Sequence, residues 1–201
     1  MPSQNSIANH ALDLVGETAI DDISDAVEPA ERLAAMWDDT RDAALRARLW
    51  RFSIARDSLA ADSETPAWGF SYQYTIAGGV VRVIQVDQYY NALGLSDFVN
   101  ADTAPYRIEG GKILTDLPAP LKVRWVVNTI DVGAWDACFA RVMACDLADR
   151  FSTRITGSEA IKQRIKAERF EAIKEATRAN ALEDPAAMFG DGSWLASRLA
   201  V

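Results

Sequence analysis

The sequence predicts an α+β fold in which a helical bundle of long helices carries an inserted antiparallel β region and an extended C-terminal arm. Changes of hydrophobic period along the chain indicate this. Apolar residues recur every three to four positions near the start, they alternate or form β-branched runs in the middle, and helical spacing returns after Gly133. The divisions expected are an N-terminal helical part (1–66), a β region (67–130), a second helical part (131–183) and the arm (184–201).

Composition bounds the class of protein. The chain has 201 residues, of which 49% are hydrophobic, so it can bury a sizeable core without a metal or a disulfide. Its net charge is −8 and its pI is about 4.7. A protein that binds nucleic acid tightly presents a basic face, and the composition indicates none. Residues 1–9 lack a signal-peptide pattern, and no apolar run approaches the ~20 residues that span a bilayer. We therefore expect a protein made and kept in a cytoplasm, with no membrane partner.

Two cysteines and three of the six tryptophans are expected in the core. Cys138 and Cys145 lie seven residues apart on one predicted helix, so a rise of roughly 10 Å separates them. Because that exceeds the reach of a disulfide, buried free thiols are the expected state. Trp37, Trp125 and Trp135 stand at apolar-periodic positions, where core packing explains them better than stacking on a ligand.

The first 66 residues predict two helices. A short helix is capped by Asn5 or Ser6 and ends at Gly16, where a left-handed residue is favourable. An exposed acidic connection follows. Pro29 suits the first turn of a long helix, which we expect to run to about Ala60. Its charged side chains are expected on the solvent side: Arg32, Asp38, Asp39, Arg41, Asp42, Arg46 and Arg48.

The middle of the chain predicts antiparallel strands. Residues 71–76 alternate tyrosines with polar residues, 80–86 form a β-branched run, and 121–127 alternate with one face buried. A Gly-Gly pair at 110–111 predicts a tight hairpin, because both glycines can adopt positive φ. Residues 88–105 are expected to be mostly loop.

Helical spacing predicts two further helices. The first is expected to begin near Trp135 and reach about Ile155, and the second covers residues 159–182 with Ser158 as the expected N-cap. Alanines recur along both helices, and we expect these alanine seams to be covered by other copies of the chain. The seam residues are Ala140, Ala144, Ala148, Ala172, Ala176 and Ala179.

The arm is too apolar for a disordered tail. It follows Asp184-Pro185, which ends the last helix. We expect the arm to dock either on its own domain or on a neighbouring chain, and we favour the neighbour. Trp194 is the best candidate for an anchor. The candidate interface residues are Met188, Phe189, Trp194, Leu195 and Leu199.

No motif indicates catalysis. The single His10 lies inside the first predicted helix, which favours a structural role, and neither a G-x-S-x-G elbow nor an H-E-x-x-H helix occurs. Asp38, Asp39, Asp87 and Asp116 are carboxylates of the kind that a glycosidase pairs, but nothing singles out two that share a pocket. The glycine pairs lack the Lys-Ser/Thr of a phosphate loop. We expect no enzymatic activity, no cofactor and no metal.

Four local strings follow one another along the chain: ALDLVGETAI (11–20), TRDAALRARLWRFSIARDSLA (40–60), YRIEGGKILTD (106–116) and LKVRWVVNTIDVGAWDACFARVMACDLADRFSTRITGS (121–158). In this order and spacing they resemble the tail tubular protein A family of podoviruses and related phage head–tail adaptors (connectors). The chain departs from the family at Leu49, where a proline is common. Whether the relative is a podovirus protein or one from a longer-tailed phage stays open.

The resemblance implies a structural protein of the phage neck, present in the virion tail and made in the bacterial host cytoplasm. Such adaptors form a ring, usually a dodecamer of identical subunits, between the portal protein and the tail nozzle protein. Genomic DNA passes through the ring without sequence-specific binding, and the C-terminal arm reaches the portal or a neighbouring subunit. Two other classes remain open: a cell-envelope hydrolase carried on the tail, and a monomeric DNA- or protein-binding module.

Overall fold

The computed structural model describes residues 1–90, 105–155 and 159–182, with all side chains in these ranges except those of 89–90, 153–155 and 180–182. Four helices and two antiparallel sheets in these ranges confirm the α+β class. The predicted arm lies outside the described residues. The helices are α1 (Gln4–Val15), α2 (Glu28–Ala47), α3 (Ala137–Ile155) and α4 (Glu159–Leu182), and the strands are β1 (Ile54–Leu59), β2 (Tyr72–Thr75), β3 (Val80–Val86), β4 (Tyr89–Tyr90), β5 (Tyr106–Glu109), β6 (Lys112–Thr115) and β7 (Leu121–Val127).

The two sheets and the helices form three layers. A four-stranded sheet has the order β1-β7-β3-β4, and a three-stranded sheet has the order β2-β6-β5. Ile84 and Val126 of the four-stranded sheet pack into the core of the helices. Val83 and Trp125 pack into a second, smaller core with Ile113 of the three-stranded sheet. The four-stranded sheet therefore lies between the helices and the three-stranded sheet, because alternate residues of a strand face opposite sides.

Helix α3 is the centre of the helical layer, since it contacts α1, α2 and α4. Its Phe139 is fully buried, with ring centroids 4.9 Å from Trp50, 5.0 Å from Phe52 and 4.9 Å from Trp135. Trp37 of α2 stacks on Trp135 at 6.0 Å. Aromatic pairs at these distances add stability beyond their buried area. The expected core positions of Trp37, Trp125 and Trp135 are confirmed.

The expectation that other copies cover the alanine seams is wrong for the alanines that the structure shows as buried. Ala144 and Ala148 of α3 are 0% exposed in the single chain, and Ala172 and Ala176 of α4 are each 1% exposed. Helices α3 and α4 cover each other, because small side chains let two helices of the same chain approach closely. The seams are therefore part of this molecule's own core.

The start of α1 differs from the prediction. Ser3, not Asn5 or Ser6, is the N-cap, and Ser3 and Ser6 form a reciprocal capping box. The Asn5 side chain instead contacts the acidic connection, accepting a hydrogen bond from the backbone of Ile23 and donating to Asp22. The left-handed Gly16 at the helix end is confirmed, with φ +88°.

Helix α2 begins as predicted, at Glu28 with Pro29 in its first turn, but it ends at Ala47 and not near Ala60. Trp50 folds back on the helix end and donates a hydrogen bond from Nε1 to the carbonyl oxygen of Ala44. This satisfies one of the carbonyls that the helix end leaves open. The following residues form β1, whose ladder with β7 begins at Ile54 opposite Val126.

Arg41 of α2 is buried, at 5% exposure, so its predicted solvent position is wrong. Its guanidinium lies between the carboxylates of Asp38 and Asp42, with an N–O distance of 2.8 Å to each. The aliphatic stem can be buried because the charged end meets carboxylates at the rim.

The β region matches the predicted strands and hairpin. Gly110 and Gly111 have φ of 57° and 76° and connect β5 to β6, as a two-residue turn with two positive φ angles requires. The loop predicted at 88–105 contains the short strand β4, and residues 91–104 lie outside the described part. Both thiols are free as expected, but only Cys145 is buried, whereas Cys138 is half-buried.

Candidate interaction surfaces

The five interface residues predicted in the arm cannot be placed, because Met188, Phe189, Trp194, Leu195 and Leu199 lie outside the described residues. Three other aromatic side chains are exposed on the described surface, and Tyr72 of β2 is the least exposed of them at 37%. Trp68 is 82% exposed in the loop before β2, and Phe170 is 66% exposed on α4. Exposed aromatic side chains of this size are candidates for contacts with other molecules.

Trp68 lies beside a groove of about 770 Å³, here called the Trp68 groove, between loop 66–70 and the three-stranded sheet. Arg107, Lys112 and Leu114 face the groove from β5 and β6. The residue opposite Leu114 on β2 is Gln73, which also lines it. The residues between them in sequence, such as Ile113, face the second core instead. Strand alternation thus gives the sheet one buried apolar face and one mixed face.

Asp62 holds the outer edge of the three-stranded sheet. Its carboxylate accepts hydrogen bonds from the backbone N–H and hydroxyl of Thr75, at 3.2 and 2.9 Å, and from Lys112 Nζ at 3.0 Å. Its backbone N–H donates to Gln73. The bond from the Lys112 ammonium is the main cause that lowers the pKa of the Asp62 carboxyl. These contacts cover the edge of β2, which would otherwise be open to another strand.

A basic stripe runs along the exposed side of α4. Lys166, Phe170, Lys174 and Arg178 follow one another at intervals of four residues, and each is exposed. Two carboxylates lie beside this stripe: Glu171, 3.5 Å from Lys174, and Glu175, which pairs with Arg141 of α3. Residues four apart share a helix face, so the exposed phenylalanine lies among three cations.

An acidic stripe runs along the exposed side of α2. Glu31, Ala35, Asp38 and Asp39 are exposed, and Asp42 beside them is half-exposed. Arg41 neutralises part of this charge through Asp38 and Asp42. Glu31 and Asp39 flank Ala35 at intervals of four residues, so a small side chain lies between two carboxylates.

The residues weighed for catalysis are dispersed or engaged in structural hydrogen bonds. His10 is half-buried on α1, and Asp116 accepts from the backbone N–H and hydroxyl of Ser71, each at 2.8 Å. A further carboxylate, Asp22 in the connection between α1 and α2, is also held by hydrogen bonds, of which that from Asn5 contributes most, and they lower its pKa to about 2. No group of three or more His, Cys, Asp or Glu within the described ranges could hold a metal ion.

The buried thiol of Cys145 on α3 is not a candidate nucleophile. Burial raises the pKa of the Cys145 thiol to about 11, and the nearby carboxylates of Glu168 and Asp146 add to this effect. A thiol in such surroundings stays protonated and unreactive near neutral pH.

Among the helices in the described part, none is long and apolar enough to cross a lipid bilayer.

No protein-family model matches the chain, and no curated protein shows significant similarity to it. Sequence reasoning missed the exposure of Trp68 and Phe170, although each carried a signal. Trp68 stands between Pro66 and Gly69 in a segment without helical or strand period, and Phe170 lies off the apolar face of its predicted helix.

Proposed function

We propose that this chain is a structural protein of a tailed-phage neck, a head-to-tail adaptor that forms a ring between the portal and the tail nozzle. The proposal combines the four ordered strings of the sequence with one structural observation. Among the described residues, the two most exposed aromatic side chains lie on different parts of the chain, Trp68 on the β region and Phe170 on the helices. A protein that joins two partners needs a contact surface on more than one part of its structure.

The proposed role requires no catalysis. The titratable groups with perturbed pKa values, such as Asp22, Asp62 and Cys145, are held by hydrogen bonds or by burial within the chain. We propose that the ring conducts DNA, and that the net charge of −8 limits adhesion of the phosphate backbone to its wall.

The test is assembly on the portal protein of the same virus. The full chain is mixed with purified portal particles and imaged by electron microscopy. We expect a closed ring of identical subunits at one end of each particle. Portal particles that stay bare, with the chain remaining free in solution, would refute the adaptor role.

The Trp68 groove favours one rival, a monomeric protein-binding module. A groove with an exposed tryptophan and charged walls can bind a peptide without any ring. The same images distinguish the two functions, because a monomeric module binds as separate copies and leaves no closed ring. Trp68→Ala gives a second comparison, since it removes the exposed indole of the groove and leaves the helical layer intact.

A further inference from the structure

We infer that neighbouring copies of this chain contact each other through the basic stripe of one α4 and the acidic stripe of the next α2. This inference rests on the proposed ring and names the surfaces that would close it. The occupant of each stripe is therefore a second copy of the chain.

The α4 stripe has the features of a surface that another protein covers. Phe170 is 66% exposed, and it stands between Lys166 and Lys174 with Arg178 one turn further. The stripe has three cations and two neighbouring carboxylates, of which Glu175 pairs with Arg141 and Glu171 with Lys174, in a chain whose overall charge is strongly negative. A local positive patch on an acidic protein favours an acidic partner.

The α2 stripe supplies the complementary charge and the space. Glu31 and Asp39 have no cation within ion-pair distance among the described residues, whereas Asp38 and Asp42 share Arg41. Ala35 lies between Glu31 and Asp39, so it leaves room for an aromatic ring with carboxylates on both sides. Cations next to Phe170 would then face those carboxylates.

The two stripes lie on different helices with different neighbours. Helix α2 contacts α3 and β3, whereas α4 contacts α3 and α1. A contact between unlike surfaces is heterologous, and repeating it produces either a closed ring or an open filament. The ring of the proposed function corresponds to the closed case.

Charge reversal tests the contact in the full chain on portal particles. One variant carries Lys166→Glu and Lys174→Glu, the two cations that flank Phe170. A second carries Glu31→Lys and Asp39→Lys, and a third combines all four changes. The first two should reduce ring formation by about tenfold or more, because like charges then oppose each other across the interface. The third should restore rings, because the charges are again complementary. Asp38 and Asp42 stay unchanged, so that Arg41 keeps its partners.

The matched control for the first variant is Arg56→Glu with Lys122→Glu. It also replaces two cations by glutamates, at exposed positions of β1 and β7, so it makes the same change of net charge as the first variant. This control should form rings like the wild type. If either single-face variant forms normal rings, or if the combined variant assembles no better than they do, the α2–α4 contact is wrong although the ring stands. If the wild type forms no ring, the proposed function fails and this contact fails with it.

Phe170 gives a second measurement that does not depend on charge. Phe170→Ala should reduce rings, Phe170→Leu should retain most of them, and both should keep the wild-type thermal unfolding midpoint because the side chain is exposed. Rings that form equally well with alanine at position 170 would contradict a role for this side chain in the contact.

Discussion

The helices α3 and α4 pack against each other, yet they differ in how much of each lies inside the molecule. Within the described side chains, ten residues of α3 are buried and only three of α4, namely Ile165, Ala172 and Ala176. Two phenylalanines summarise the contrast, since Phe139 is 0% exposed and Phe170 is 66% exposed. Helix α3 therefore serves the stability of the chain. In the part of the chain that the structure describes, helix α4 has a long exposed face, and this is the face that we assign to a neighbouring copy.

The largest effect is expected from truncating the centre of α3. Phe139→Ala removes a ring that contacts Trp50, Phe52 and Trp135, and should lower the free energy of unfolding by about 3–5 kcal/mol. Chemical denaturation followed by circular dichroism measures it. A loss well below this range would mean that the aromatic cluster collapses to fill the space. The evidence that α3 contributes more than α4 to the stability of the chain would then be weaker.

A smaller effect is expected where α3 and α4 approach each other. Ala176→Leu adds a branched side chain at a position that is 1% exposed, and should cost about 1–3 kcal/mol through overpacking. Ala167→Leu, on the exposed side of α4, is the control and should be nearly neutral. Equal unfolding midpoints for the two variants would show that the seam at Ala176 is looser than its burial indicates.

The buried thiol of α3 predicts a loss of stability at alkaline pH. Cys145 has a pKa of about 11 in the folded chain, whereas an ordinary thiol titrates near 9.0. Between these values the unfolded chain has released a proton that the folded chain retains, so stability falls as the pH rises from about 9 to 11. Cys145→Ala should flatten this part of the curve of unfolding free energy against pH. Parallel curves for variant and wild type would count against a fully protonated thiol.

The smallest effect on stability is expected on the free face of α4. Phe170→Ala should change the free energy of unfolding by no more than about 0.5 kcal/mol, as is usual for surface substitutions. A loss of several kcal/mol would mean that this ring belongs to the core of the single chain. The contrast between α3 and α4 would then no longer support a neighbour on α4.

Sequence patterns predicted the fold class, the starts of helices α2 and α4, and the hairpin at Gly110. Each of these features depends on the local hydrophobic period or on one residue type. They failed where the structure of a segment depends on a partner that is distant in the sequence. Residues 54–59 are paired with β7, more than 60 residues away, and that ladder ends the helical region before Ala60. Arg41 is buried because Asp38 and Asp42 receive its guanidinium at the rim, which its charge alone does not reveal.

The candidate surfaces were less predictable than the fold. Phe170 was detectable as an aromatic residue off the apolar face of α4, and Trp68 as one in a loop with Pro66 and Gly69. The hydrophobic period of a sequence cannot show whether the rest of the chain covers such a residue. The alanines of α3 illustrate the limit, since the same small-residue pattern suits a contact within one chain and a contact between copies.

The most direct test of the adaptor role is a reconstruction of the intact particle at the neck. We predict a ring of identical copies between portal and nozzle, with Phe189 and Trp194 of each arm packed against another chain. Finding this polypeptide as a single isolated copy, with its last residues folded onto its own core, would contradict the account.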